Sequence, residues 1–100
     1  MSERALGQVA DRVLFENDRV RIWEMVLEPG ESSDLHEHTL DYLLCIIEGE
    51  SVDADFEGGP SVRIPVEPGT TIFVPKGNRE VAVNRSGVRY REILIELKER

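Results

Sequence analysis

The chain has 100 residues, 40% of them apolar and 32% charged, the make-up of one globular domain with a single core. Its formal charge is −8, from 20 acidic against 12 basic residues without a dense Lys/Arg cluster, which argues against nucleic-acid binding through phosphate contacts. No apolar run approaches the roughly 20 residues of a membrane span, and the single cysteine, Cys45, rules out an internal disulfide framework, so a cytoplasmic, reducing setting is expected.

Residues 1–11 are polar and charged, lack the apolar stretch of an export signal, and read as an N-terminal arm, frayed or briefly helical. Residues 12–100 read as one domain. The stretch 12–16 is a predicted strand ended by the turn pair Asn17-Asp18. Along 19–28, Val20, Ile22 and Val26 alternate with Trp23, Met25 and Leu27, so both faces are apolar and a strand covered on both sides is expected. Further strands are predicted at 42–48, 51–56, 61–66, 71–74, 80–84 and 88–97, separated by glycine- and proline-rich turns. About eight short strands, with no sustained helical period, predict an all-β antiparallel sandwich or barrel. Glu-Pro-Gly stands at 28–30 and again at 67–69, and two such turn-plus-strand units fit a jelly roll built from two Greek keys.

The only two histidines, His36 and His38, stand one residue apart ahead of the apolar run 42–47. On an extended segment, side chains two apart point the same way. Two imidazoles so placed can reach one ion at about 2.0–2.1 Å. In isolation an HxH pair is more often a solvated loop.

The wider spacing resembles a known family. Gly30, His36, His38, Tyr42 and Gly49 resemble the first cupin motif, and Gly69, Pro75, Gly77, Glu80 and Asn84 resemble the second. The resemblance implies a cupin-type double-stranded β-helix, a jelly-roll barrel, with a metal site. Family sites offer three histidines and one glutamate. Here Tyr42 stands at the glutamate position of the first motif, and Glu80 stands where the second motif usually has histidine. The implied ligands are therefore His36, His38 and Glu80. Two imidazoles and one carboxylate make the facial triad suited to Fe(II), although Zn, Mn, Ni or Cu take the same donors.

Tyr42 lies about 13 Å beyond His38 along a straight strand, so it joins the site only if the chain turns at 39–41. Two roles are open to it. Tyrosinate ligation needs a large fall from its ordinary pKa near 10, whereas a neutral proton donor asks less, and is the catalytic role assigned to Tyr42 here. Asp41 reads as a turn residue, Asn84 as a partner for backbone groups, and Cys45, on the face opposite Tyr42, as packing. Glu24, Arg89, Arg91 and Glu92 are candidates to line the barrel, with the strand phase open. Arg91 pointing inward would clamp an acidic substrate.

The functions in play are a metal-dependent enzyme acting on a small organic metabolite, as an oxygen-dependent dioxygenase or a Lewis-acid isomerase or lyase, and a non-catalytic small-molecule-binding or accessory cupin, with or without metal. A third is metal-free proton transfer by a histidine and Tyr42, as in the deoxysugar epimerases of this fold. The expected partners are a small-molecule ligand and a second copy of the chain. The homodimer contact is expected along 19–28 and 88–97. Neither nucleic acid nor membrane is expected.

Overall fold

The computed structural model describes residues 6–99. Among them are nine strands: β1 (Arg12–Glu16), β2 (Val20–Leu27), β3 (His36–Glu37), β4 (Tyr42–Glu48), β5 (Ser51–Phe56), β6 (Ser61–Pro65), β7 (Thr71–Val74), β8 (Arg79–Val83) and β9 (Tyr90–Leu97). They form a five-stranded sheet in the order β1-β2-β9-β4-β7 and a four-stranded sheet in the order β3-β8-β5-β6. Every pairing is antiparallel. Eight strands are those the alternation predicts. The ninth, β3, is two residues long and contains His36.

The repeated Glu-Pro-Gly becomes a repeated turn. Glu31 N–H donates to the Glu28 carbonyl at 2.9 Å and Thr70 N–H to the Glu67 carbonyl at 3.1 Å. Proline supplies the second residue of each turn and glycine the third, with φ of +89° at Gly30 and +90° at Gly69, the geometry of a type II turn. A side chain at the third position would be strained, which is why glycine recurs there.

The core lies between the sheets and includes Trp23, Met25, Leu27, Tyr42, Ile46, Val52, Ala82, Tyr90 and Leu94. Val9 and Ala10, from the segment ahead of β1, are buried with them. The described part of the expected arm is therefore packed and contains no helix; residues 1–5 of it lie outside the described residues.

The expected two-sided cover of 19–28 needs correction. Trp23, Met25 and Leu27 face the core, while Val20, Ile22 and Val26 are only half-buried on the outer face of the five-stranded sheet. No second layer covers that face among the described residues. Its apolar side chains align instead with their neighbours across the strands: Phe15, Ile22, Ile95, Leu43 and Phe73 stand opposite one another in register from β1 to β7.

Candidate functional site

His36 on β3 stands directly opposite Glu80 on β8, and opposed residues of an antiparallel pair project to the same side. His38 lies just past β3 and is held by two backbone bonds to the turn that precedes β8. Its N–H donates to the Asn78 carbonyl at 2.9 Å, and Gly77 N–H donates to the His38 carbonyl at 2.8 Å. The two cupin-like motifs thus meet by backbone pairing, which brings ligands from distant parts of the chain to one point.

The donor atoms of His36, His38 and Glu80 lie within 4.8 Å of one another. His38 Nε2 is 3.4 Å from Glu80 Oε1. Neighbouring ligands on one ion with bonds of about 2.1 Å sit roughly 3 Å apart, so small side-chain rotations close the set. The imidazole rings meet edge to face, with centroids 4.7 Å apart. His36 and His38 are buried and the Glu80 side chain is 12% exposed.

Protonation suits a cation here. Burial lowers the His36 pKa, against the opposing pull of the Asp34 carbonyl, so the ring is neutral near pH 7. His36 Nδ1 is 2.8 Å from that carbonyl, which can only accept. The proton therefore sits on Nδ1 and the lone pair of Nε2 is free, the arrangement metal-bound histidines use. His38 Nδ1 is buried without a partner. No lysine or arginine lines the cavity at this cluster among the described residues, so the chain itself does not balance Glu80 there. The donor set fits a divalent ion.

Tyr42 begins β4 in the opposite sheet. The chain does turn ahead of it, pinned by Asp41, whose Oδ1 accepts Lys76 N–H at 2.9 Å and whose carbonyl accepts Leu97 N–H at 2.9 Å. The Tyr42 ring stacks on His38, with centroids 3.9 Å apart and planes 20° apart. Its hydroxyl makes a long hydrogen bond of 3.5 Å to Glu80 Oε1. Burial foremost, then the charges of Glu80 and Glu92, raise its pKa far above the ordinary value, so it stays a phenol. Sequence and structure bring all four residues to one place.

These residues line a cavity of about 110 Å³ between the sheets, with Met25, Leu44, Val52, Ile64 and Leu94 among its apolar walls. Glu92 also lines it. Arg91, adjacent in sequence, points the other way and pairs with Glu24 at 2.5 Å on the outer face. Arg89 pairs with Glu28 at 2.8 Å. Of the four charged candidates, only Glu92 reaches the cavity, and an Arg91 clamp is overturned. Asn84 is fully buried, donating to the Leu27 and Val88 carbonyls at 2.8 Å each and accepting from Ser86. Cys45 is half-buried, three positions from Tyr42 and on the outer face.

No family model and no curated protein matches the chain. Solved structures do. A cupin domain from Bordetella pertussis superposes with a TM-score of 0.82 at 23% identity, covering 98% of this chain and 100% of that one. An RmlC-like cupin with a double-stranded β-helix fold from Methanocaldococcus jannaschii superposes with a TM-score of 0.66 at 18% identity, covering 97% and 90%. A polyketide cyclase from Streptomyces resistomycificus superposes with a TM-score of 0.62 at 26% identity, covering 84% of this chain and 58% of that one. No helix among the described residues is long and apolar enough to cross a membrane. The two sheets, their order and these likenesses agree: the chain has the fold of a small single-domain cupin.

Proposed function

We propose that the protein is a metal-binding cupin that transforms a small organic metabolite held between its two sheets. The convergence of His36, His38 and Glu80 within 4.8 Å at an apolar cavity carries this reading. Fe(II) is the favoured ion, because two neutral imidazoles and one carboxylate leave coordination positions open for substrate and O₂. Once bound, the ion would polarise a substrate oxygen or support O₂ chemistry.

The chain's own residues supply the rest. His36 is held by its Nδ1–H bond to the Asp34 carbonyl, so its free nitrogen is oriented before any ligand arrives. Tyr42 keeps its proton and presents it beside Glu80, placing a donor next to the reacting group. The likeness to a polyketide cyclase supports turnover over binding alone.

The test is turnover by iron-loaded protein, followed with an oxygen electrode and by mass spectrometry against a panel of small carbonyl compounds and alcohols. The proposal expects a metal-dependent product, with Tyr42→Phe slower by about 10²–10⁴-fold. If no metal supports turnover of any panel member, a non-catalytic binding cupin is the better account.

We also propose that two copies pair through the outer face of the five-stranded sheet. On β9 the outward row Arg91, Ile93, Ile95 and Leu97 has three apolar residues, against two, Tyr90 and Leu94, in the inward row with Glu92 and Glu96. The cross-strand row ends in Phe15 and Phe73, which are 53% and 56% exposed. Charges of both signs flank it, with Glu24 paired to Arg12 and Arg91, which is compatible with packing against a second copy.

A further inference from the structure

Glu92 is an acid of the cavity that the metal reading leaves unused; Asp53, which also lines it, is paired with Arg63 and Arg85. It comes from β9 in the five-stranded sheet, whereas His36 and Glu80 come from the four-stranded sheet across the cavity. It is 3% exposed. The Tyr90 hydroxyl donates to its Oε1 at 2.5 Å, while its Oε2 is buried without a partner. A buried polar atom left unpaired costs on the order of 1–3 kcal/mol, so an acid kept in this position among apolar walls calls for a partner. The structure supplies none, and Glu92 lines the cavity.

Three observations narrow what that partner is. No lysine or arginine lines the cavity among the described residues, so a ligand carboxylate would meet Glu80 and Glu92 without a cation from the chain. The walls around Glu92 are apolar, which makes it costly to strip water from an ammonium group. The carboxyl holds its proton well above the ordinary carboxylate range, so it is mostly neutral below about pH 7. Burial foremost, then the charges of Glu80 on β8 and Asp11 ahead of β1, push its pKa up to about 7, against the lowering hydrogen bond from Tyr90. The other titratable group facing it, Tyr42 on β4, is a neutral phenol. With Oε1 already accepting from Tyr90, the carboxyl proton belongs on Oε2, where it can be donated.

We propose that Glu92 is the second polar anchor of the cavity and that the ligand is a small uncharged compound. Its body is apolar, and a carbonyl or hydroxyl oxygen accepts a hydrogen bond from Glu92 Oε2. This rests on the reading of the cavity as the ligand site and adds the class of ligand. Size follows from the volume. An enclosed cavity of roughly 150 Å³ takes a benzene, so about 110 Å³ holds a group the size of a small ring.

The test is a heteronuclear NMR titration of metal-free protein with three probes of equal size: cyclopentanone, cyclopentylammonium and isobutyrate. The proposal expects cyclopentanone to shift the amides of Met25, Val52 and Leu94, and to bind more tightly than either charged probe. Glu92→Gln, which keeps a donor, should bind it about as well as the wild type. Glu92→Leu should bind it about tenfold more weakly, the loss of one hydrogen bond. If Glu92→Leu does not fold, Glu92→Met takes its place. No cyclopentanone binding, binding unchanged in the apolar variant, or tighter binding of either charged probe would overturn the proposal. Because no metal is present, such a failure leaves the metal reading standing. That reading is tested separately: it fails if the wild type takes up no metal, or if His36→Ala takes up as much as the wild type.

Discussion

The ring of His38, just past β3, lies 3.9 Å from the ring of Tyr42, which begins β4 in the other sheet, and the two planes are within 20° of parallel. The stack fixes the imidazole next to Glu80 and keeps the phenol hydroxyl at the same carboxylate. Removing only the hydroxyl therefore separates the two roles open to Tyr42. Tyr42→Phe keeps the stack, and its affinity for Fe(II) or Zn(II), measured by calorimetry, is expected to stay within about threefold of wild type. A loss well beyond tenfold would mean that the phenolate is a ligand.

Glu92 predicts an unusual pH dependence. Its pKa rises from an ordinary 4.5 to about 7 in the folded chain, so the folded state holds the proton more tightly than the unfolded state. Between those values the unfolded chain loses its proton first, so the Glu92 contribution to the stability of metal-free protein should fall as pH rises, while His36, whose pKa burial lowers, contributes the opposite slope below about 6.5. The shift is on the order of 3 kcal/mol across that window. Glu92→Gln should flatten this slope in denaturant titrations at pH 5, 6 and 7. An equal slope in both proteins would mean that another group is responsible. Asp53 and Asp55 do not compete in this window, because their arginine partners hold their pKa values below the ordinary range. Their contribution is lost only as pH falls further.

Asn84 ties the turn after β8 to the end of β2 through its side-chain bonds to Leu27, Ser86 and Val88. Asn84→Ala leaves those buried groups unpaired, and urea denaturation should show a loss of about 2–4 kcal/mol. A loss below about 0.5 kcal/mol would show that water replaces the amide.

The strands were legible in the sequence because glycine and proline punctuate them and apolar residues alternate. The metal-ligand candidates were legible because His36, His38 and Glu80 fall on recognisable spacings. The phase of β9 was not. Its outward row, Arg91, Ile93, Ile95 and Leu97, has three apolar residues against two in its inward row, which carries Glu92 and Glu96, so the rule that apolar residues face the core points the wrong way. Glu96 can sit inward because Trp23 Nε1–H and the Arg21 guanidinium donate to it at 2.6 and 2.7 Å, contacts from a strand some 70 residues away. The tyrosine two residues before Glu92 was a signal that the strand carries an inward polar pair. The two-residue β3 was too short to show a period at all.

If the outer sheet face pairs two copies, a charge in the middle of its apolar row should separate them. Ile95→Glu and Phe73→Glu should be monomers by light scattering where the wild type is a dimer. The outward position of both residues leaves the cavity intact, so cyclopentanone binding should survive. Unchanged mass in both variants would place the contact elsewhere.

The most direct test of the central claim is elemental analysis of untagged protein purified without chelator, beside His36→Ala and Glu80→Gln. The account predicts close to one divalent ion per chain in the wild type, iron when purified anaerobically, and a small fraction of that in both variants. A wild type that carries no metal, and takes up none when offered iron, zinc, manganese, nickel or copper in turn, would contradict it.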